Sequence, residues 1–207
     1  MKHVTVIDHP LVQHNLTRLR DHRTPPSEFR RLVSEVATLM IYEATRTLEV
    51  EPLNVRTPVG KARGAKLKSP VLLVPIMRAG LGMLDSILQL IPGARVGFIG
   101  LRRDEKTLRA ITYHQSLPPD VTGHEVIILD PMLATGGSAV AALDLLKERG
   151  ARRVRIVNLL AAPEGLKAVL SHHPGTRIYT AAIDEKLNAR GFIVPGLGDA
   201  GDRIFSS

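Results

Sequence analysis

The sequence predicts an α/β protein built on a parallel β-sheet. Two stretches of continuous apolar residues, 71–77 and 126–129, are typical of strands that are buried on both faces. Each stretch is followed by a turn of small residues and then by an apolar segment of helical length. This repeated order of strand, turn and helix favours a parallel sheet with right-handed crossovers, in which ligands bind at the carboxyl ends of the strands.

The amino-terminal third predicts two helices and a hairpin. Residues 1–26 predict an arm followed by a short helix, for which we expect a packing role only. Capping residues and prolines at 24–27 begin a second helix, whose apolar residues recur at helical spacing to about Leu48. Residues 50–70 are polar, basic and interrupted by proline and glycine, which indicates a β-hairpin. Its lysines and arginines could attract an effector nucleotide, although a solvated basic loop is the simpler interpretation.

The remaining strands are predicted at residues 94–100, 154–160 and 177–183. A polar connection runs from the first of these to about Pro119, and a connection of this length is more often functional or mobile than idle. The tail from Asn188 onward contains glycines and a proline among apolar residues. A disordered tail would be less apolar, so we expect a rigid loop whose backbone groups face a ligand.

Composition limits the functional classes. The chain has 207 residues and no cysteine, which excludes disulfides, a thiol nucleophile and a cysteine-based zinc site. Aromatic residues make up 3%, too few for the stacking platforms that bind single-stranded nucleic acid. The net charge of +8 fits nucleic acid, a membrane or an anionic substrate equally well. No leader-like or membrane-length apolar run occurs, so we expect a soluble, cytoplasmic protein.

The turn after residues 126–129 has the chemistry of a phosphate seat. Gly136 and Gly137 remove side chains that would keep a ligand from the backbone, and the next helix offers free N–H groups and its positive dipole end. Thr135 and Ser138 add hydroxyls, and Asp130 is placed to accept hydrogen bonds from sugar hydroxyls. The alternative is an ordinary turn in which Ser138 caps the helix.

The turn after residues 71–77 carries a cation instead. Arg78 has a planar guanidinium that suits a pair of pyrophosphate oxygens, whereas the alternative is an arginine extending into solvent at a strand end. Two such turns at one edge of a sheet would face the same ligand.

The string from Val126 to Ser138 resembles the phosphoribosyl diphosphate loop of the type I phosphoribosyltransferases. That family usually has two acids in this loop. Here Asp130 matches the first, and Pro131 occupies the second position, a variant similar to the uracil-specific members. Residues 75–80 resemble the family's pyrophosphate loop, the stretch after Gly100 resembles its flexible active-site loop, and residues 193–202 resemble the hood that binds uracil.

The resemblance implies a type I phosphoribosyltransferase fold, with residues 1–207 as one domain and a hood formed mainly by residues 184–207. It implies transfer of the 5-phosphoribosyl group to N1 of uracil, with Mg²⁺ held mainly by the diphosphate and no metal ligand set from the protein. Asp130 and Arg78 are expected to contribute most to catalysis. The residues assigned to phosphoribosyl diphosphate are Arg78, Arg103, Asp130, Pro131, Met132, Leu133, Ala134, Thr135, Gly136, Gly137, Ser138 and Asp199. Those assigned to uracil are Ile193, Gly198, Asp199 and Ala200.

The resemblance also implies partners, and alternatives remain at this point. GTP activates some relatives, and relatives form dimers or larger homo-oligomers, whereas a membrane or nucleic acid is not expected. An enzyme for another base is one alternative, but a purine enzyme should carry a lysine together with an aromatic residue, and the tail lacks that pair. A regulatory protein of the same fold that binds RNA through its basic faces is the other alternative.

Overall fold

The computed structural model describes residues 3–103 and 110–206, apart from the side chains of Arg103 and Ala110. In chain order its elements are β1 (Val4–Val6), α1 (Pro10–Arg20), α2 (Pro26–Ala44), β2 (Val50–Arg56), β3 (Lys61–Leu67), β4 (Val71–Met77), α3 (Leu81–Leu90), β5 (Arg95–Val96), β6 (Phe98–Arg103), β7 (Ala110–Ser116), β8 (Glu125–Leu129), β9 (Met132–Leu133), α4 (Gly137–Glu148), β10 (Arg153–Ala161), α5 (Pro163–His172), β11 (Arg177–Ile183), β12 (Lys186–Leu187), β13 (Ile193–Val194) and α6 (Ala200–Phe205).

The main sheet has the strand order β1-β11-β10-β8-β4-β6-β7, with β5 paired to β4 and β9 paired to β10. All of these pairs are parallel except β6 with β7, which is antiparallel. The predicted α/β fold with a parallel sheet is therefore confirmed. The carboxyl ends of β4 and β8 lie side by side, since Pro75 pairs with Leu129, and both predicted turns begin there.

The core has two apolar layers because successive side chains of a strand point to opposite faces. Leu73 and Ile127 pack on the face that α1, α2 and α3 cover, together with apolar residues of the hood. Leu72 and Val126 pack on the other face, against α4 and α5. Burial on both faces explains why these strands have continuous apolar sequences instead of alternating ones.

Apart from the short strands β1 and β9, which were not predicted, two segments of the main sheet differ from the prediction. The polar connection after residue 103 was predicted as a loop to about Pro119, but residues 110–116 form strand β7 at the edge of the sheet. Residues 111–116 are exposed, so this strand needs no apolar face and leaves no apolar pattern in the sequence. The strand predicted at 94–100 is divided into β5 and β6 around Gly97, whose N–H donates to the Leu73 carbonyl at 2.9 Å.

The helices and the hairpin agree with the prediction apart from their ends. Helix α1 begins at Pro10, where the Leu11 N–H donates to the His9 ring at 3.2 Å. Helix α2 ends at Ala44 instead of near Leu48, and the Thr45 hydroxyl donates to the Ile41 carbonyl at 2.7 Å. Strands β2 and β3 pair along their whole length as the predicted hairpin. No helix in the described ranges is both long and apolar enough to span a membrane.

The tail is more regular than the predicted loop. Strands β12 and β13 form a small antiparallel pair, and the chain then turns into the short helix α6. Asp199 caps α6 by accepting the Asp202 N–H at 3.0 Å. Six residues are too few for helical periodicity to be visible, which is why the sequence did not predict this helix.

Candidate active site

Two adjoining hollows lie at the carboxyl edge of the sheet. The first, which we call the loop hollow, has a volume of about 170 Å³ and follows the turn after β8. The second, which we call the hood hollow, has a volume of about 280 Å³ and lies between that turn and the hood. Met132, Ala134 and Gly191 line both, so the two hollows are neighbouring parts of one cleft.

The loop hollow is lined by Asp130, Met132, Leu133, Ala134, Thr135, Gly136, Ser138, Ala139 and Gly191. Most of the residues predicted to bind phosphoribosyl diphosphate are therefore brought together around one space. Gly137 starts α4 and is exposed beside it, and a Cβ there would meet only the Thr135 hydroxyl, at 3.9 Å. The backbone at Gly137 is thus open to an approaching ligand.

Gly136 gives the turn its shape. It adopts φ +84°, and a Cβ on this residue would lie 2.8 Å from the Ala168 Cβ and 2.9 Å from the Gly165 carbonyl oxygen of α5. Glycine is therefore needed both for the left-handed backbone and for the close packing of α5 beneath the turn. No side chain in the described part of the chain caps α4, contrary to the alternative in which Ser138 would do so. The uncapped amino end of this helix has the character of an anion seat.

Pro131 is not among the residues that line the loop hollow. It is buried, and its carbonyl accepts the N–H groups of Leu159 at 2.9 Å and Leu160 at 3.0 Å. These bonds hold the turn against β10. The residue in the second-acid position thus has a backbone role here, and its predicted contact with phosphoribosyl diphosphate receives no support from the lining of the hollow.

Asp130 is one of the residues that line the loop hollow. In the described part of the chain its carboxylate accepts one hydrogen bond, from the Met132 N–H at 3.4 Å, and its backbone carbonyl accepts a hydrogen bond from the fully buried Asn158 at 2.6 Å. Burial raises the pKa of the Asp130 carboxyl to about 7, although the Met132 N–H acts in the opposite direction. As far as the described residues show, most of the acceptor capacity of this carboxylate is not used by the protein.

This raised pKa predicts a pH-dependent stability for the substrate-free protein. Between the ordinary pKa of 3.8 and about 7, the folded state keeps a proton that the unfolded chain releases, so stability falls as pH rises. The amide introduced by Asp130→Asn cannot titrate, so the variant should not lose stability over this pH range. We expect its Tm to match the parent protein near pH 4 and to exceed it by about 4 °C or more at pH 8. Thermal unfolding from pH 4 to 8 tests this, and a Tm difference that does not vary with pH would contradict it.

Arg78 follows β4, in the turn beside the loop hollow. Gly80 allows this turn to approach β8, because a Cβ on Gly80 would lie 2.3 Å from the Leu129 carbonyl oxygen. The Arg78 side chain is 58% exposed, and its Nη2 lies 3.7 Å from the Asp202 Oδ1 of α6. The predicted pyrophosphate turn is therefore adjacent to the predicted phosphate turn and to the hood.

The hood hollow is lined by Ala79, Met132, Ala134, Arg190, Gly191, Phe192, Ile193, Gly198, Asp199, Ala200 and Gly201. All four residues predicted to bind uracil are among them. Sequence reasoning missed Ala79, Arg190, Gly191, Phe192 and Gly201 as lining residues. Their positions carried a signal, since Ala79 directly follows Arg78 and the others flank or lie within the hood motif.

Arg103 ends strand β6, and its side chain lies outside the described part of the chain, as do residues 104–109. The prediction that Arg103 contacts the diphosphate therefore stays a prediction. Tyr113 lies on β7 and is 52% exposed.

Comparisons with known proteins agree with this geometry. A family model described as uracil phosphoribosyltransferase matches residues 6–207. Uracil phosphoribosyltransferases of Finegoldia magna and Geobacillus kaustophilus are 55% and 57% identical to the chain, each alignment covering all of both proteins. A solved structure of an Aquifex aeolicus protein is 38% identical, with a TM-score of 0.93 and 98% of each chain covered. The adenine phosphoribosyltransferase of Trypanosoma brucei shares the fold, with a TM-score of 0.59, 10% identity, and coverage of 88% of this chain and 84% of that one.

Proposed function

The chain belongs to the uracil phosphoribosyltransferase family, and from this premise we propose that it transfers the 5-phosphoribosyl group of phosphoribosyl diphosphate to N1 of uracil, forming UMP and diphosphate. The observation that carries the proposal is the meeting of the two hollows along Met132, Ala134 and Gly191. A sugar phosphate in the loop hollow and a planar base in the hood hollow would place C1 of the ribose against N1 of the base.

The loop hollow supports binding of the donor. The uncapped amino end of α4, with Thr135 and Ser138 beside it, suits the dianionic 5-phosphate. Asp130 has the unused acceptor capacity that ribose hydroxyls need. Arg78 directly precedes Ala79, which lines the hood hollow, and its planar guanidinium suits the leaving diphosphate.

The hood hollow supports binding of a pyrimidine dione. Its walls combine apolar side chains such as Ile193 and Phe192 with the backbone of Gly198 to Ala200. Backbone N–H and C=O groups can match the alternating acceptors and donors of uracil without charged side chains. Asp199 lines this hollow and caps α6, so its carboxylate is oriented before a base arrives.

The chemistry requires positioning more than it requires a reactive side chain. The bond between C1 and the diphosphate breaks with oxocarbenium character, and diphosphate leaves with the electron pair. N1 of uracil adds to C1 and releases its proton to water or to an oxygen of the departing diphosphate. Holding N1 and C1 together removes most of the entropic barrier, and cations near the diphosphate stabilise the charge that develops on it. A nucleophile from the protein is therefore not needed.

We propose Mg²⁺ as the metal of the reaction. Among the described residues, no three His, Cys, Asp or Glu side chains are grouped to hold an ion. Mg²⁺ typically binds one or two carboxylates together with substrate phosphates and waters, and Asp130 in the loop hollow offers such a carboxylate. The residues thus fit a Mg²⁺ that the diphosphate carries into the site. When bound, it would share the negative charge of the leaving group.

We propose that the chain acts as one domain and forms a homo-oligomer. Ile193, Leu197 and Ile204 of the hood pack in the same apolar cluster as the central sheet, which supports one domain.

The hairpin of β2 and β3 leaves Leu53, Val55 and other apolar residues exposed, and a lone two-stranded hairpin is marginally stable in water. A second copy of the chain would cover it. Light scattering after size-exclusion chromatography tests this, and a monomer at all concentrations would contradict it.

The hairpin also supports GTP as a candidate effector. A hollow of about 540 Å³ along it is lined in part by Arg56, Lys61 and Arg63, whose charges suit a triphosphate.

The relatives named above are described as enzymes, and nothing supports the alternative of an RNA-binding regulator.

The deciding experiment measures UMP formation from phosphoribosyl diphosphate, Mg²⁺ and uracil, beside cytosine, orotate, adenine and hypoxanthine, each with and without GTP. We expect UMP formation with uracil and no turnover with any of the other four bases. Chelation of Mg²⁺ should abolish the reaction with uracil. Turnover with a different base would leave the assignment of the donor site intact but would refute the assignment of the hood hollow to uracil. Donor binding without turnover on any base would refute the enzymatic proposal. An unchanged rate with GTP would refute GTP as an activator.

A further inference from the structure

The hood is fastened to the carboxyl end of α1 by a buried ion pair. The Arg20 guanidinium donates from Nη1 to Asp184 Oδ2 at 2.8 Å and from Nη2 to Asp184 Oδ1 at 2.7 Å. Arg20 is the last residue of α1, and Asp184 directly follows β11, at the base of the hood. The Asp184 side chain is 5% exposed and that of Arg20 is 26% exposed. Bidentate hydrogen bonds between an arginine and a carboxylate are strong and directional when the pair is largely buried.

The same pair holds the backbone of the hood loop at Gly196. The Gly196 N–H donates to Asp184 Oδ2 at 2.8 Å, and the Gly196 carbonyl accepts a hydrogen bond from Arg20 Nη1 at 2.9 Å. Both polar backbone groups of one residue are therefore fixed by one ion pair. Gly196 lies between Ile193 and Gly198, which both line the hood hollow.

A second arginine fixes the next residue from the same side. Arg203 of α6 donates to the Leu197 carbonyl at 2.9 Å and to the Asp21 carbonyl at 2.7 Å, and its guanidinium lies 4.2 Å from the centre of the Phe29 ring. Consecutive carbonyls of the loop, at 196 and 197, are thus tied to the end of α1. The loop that forms the wall of the hood hollow takes its position from the amino-terminal arm.

The charge state of the pair is set by its contacts. Burial alone would raise the pKa of the Asp184 carboxyl, but the hydrogen bonds from Arg20 and from the Gly196 N–H hold that pKa below its ordinary value. The carboxylate is therefore ionised at neutral pH, and it depends on its donors because an unpaired buried charge is costly.

We propose that Arg20 and Asp184 are positioning residues for the nucleobase, which set the affinity for uracil through Gly196 without touching the substrate. Neither residue lines the loop hollow or the hood hollow. The proposal rests on the proposed function, since it assigns the hood hollow to uracil. It gives the amino-terminal arm a role in substrate binding, whereas the sequence indicated packing alone.

Asp184→Asn is the principal test. The amide keeps the size of the carboxyl, but its nitrogen replaces an oxygen that accepts from Arg20 or Gly196, so two donors would face each other. We expect the KM for uracil to rise about ten-fold, the factor that corresponds to the loss of one hydrogen bond to a charged group. The KM for phosphoribosyl diphosphate should change less than about two-fold, because the loop hollow does not involve the pair.

Glu125→Gln is the matched control. Glu125 is buried like Asp184, with 5% against 7% of its surface exposed, and it pairs with the buried Arg155 at 3.0 Å. It begins β8, at the edge of the sheet opposite the cleft. We expect both variants to lower the Tm and only Asp184→Asn to raise the KM for uracil. An unchanged KM for uracil in folded Asp184→Asn, or equal rises in both KM values, would overturn the proposal.

Arg20→Lys keeps the test decisive if Asp184→Asn does not fold. Lysine retains the positive charge but lacks the planar fork that reaches Asp184 and Gly196 together. We expect the KM for uracil to rise less than in Asp184→Asn, again without a matching rise in the KM for phosphoribosyl diphosphate. Equal changes in the two KM values would refute the proposal. Failure of the proposed function is separable, because it would appear as absent uracil turnover in the unmodified protein. If that protein uses another base, the same selective rise is expected for the KM of that base.

Discussion

Arg78→Ala is expected to lower kcat/KM for UMP formation on the order of 10²–10³-fold, which corresponds to about 3–4 kcal/mol of transition-state stabilisation. Negative charge grows on the diphosphate as its bond to C1 breaks, and in the proposed role the guanidinium of Arg78, which directly precedes the hood-hollow residue Ala79, stabilises that charge. The loss should appear mainly in kcat, because the interaction strengthens as the bond breaks. Steady-state kinetics with each substrate varied in turn measures this.

Three further variants make this result specific. Arg78→Lys keeps the charge without the fork and should recover part of the lost activity. Asp202→Asn removes the ion pair but leaves the Arg78 cation in place. We expect it to lose much less activity than Arg78→Ala, and equal losses would show that Arg78 acts only as the partner of Asp202. Arg152→Ala removes an exposed arginine next to the amino end of β10 and should retain full activity. Near-normal turnover of Arg78→Ala would contradict the assigned role.

Asp130→Asn is expected to reduce kcat/KM by a similar factor, on the order of 10²–10³-fold. Among the described residues the Met132 N–H alone donates to this carboxylate, and the role proposed for its remaining acceptor capacity is to accept the ribose hydroxyls. An amide has one acceptor oxygen, and its NH₂ group would face the hydroxyl hydrogens. The KM for phosphoribosyl diphosphate should rise as well, because the ribose is also held in the ground state. Kinetics and calorimetric binding of the donor measure the two effects separately.

The stability of the same variant excludes a trivial explanation. Because burial raises the pKa of Asp130 to about 7, Asp130→Asn should be more stable than the parent at pH 8 while being far less active. A site that lowers stability in exchange for function behaves in this way. Asp85→Asn, at an exposed position of α3, is the matched control and should change neither property. Full activity of Asp130→Asn would remove Asp130 from the mechanism.

The sequence predicted the central sheet and the elements of the cleft because their signals are local. The apolar content of residues 71–77 and 126–129 was sufficient to predict buried strands. The turns that begin at Arg78 and Asp130 are the segments that come next in the chain. Helix α6 and strand β7 were missed, since one is six residues long and the other has no buried face. The conformation of the hood loop likewise left only its glycines and proline as a signal.

Tertiary structure alone decided how these parts meet. The sharing of Met132, Ala134 and Gly191 by two hollows follows from packing the hood over the sheet. The Arg20–Asp184 pair joins residues 164 positions apart, and neither residue carries a local pattern that names its partner. The physical reason is that periodicity and turn chemistry depend on neighbours along the chain, whereas burial, hydrogen-bond partners and a raised pKa depend on neighbours in space. The sequence therefore determined which chemistry this protein carries, and the fold determined which residues hold that chemistry in position.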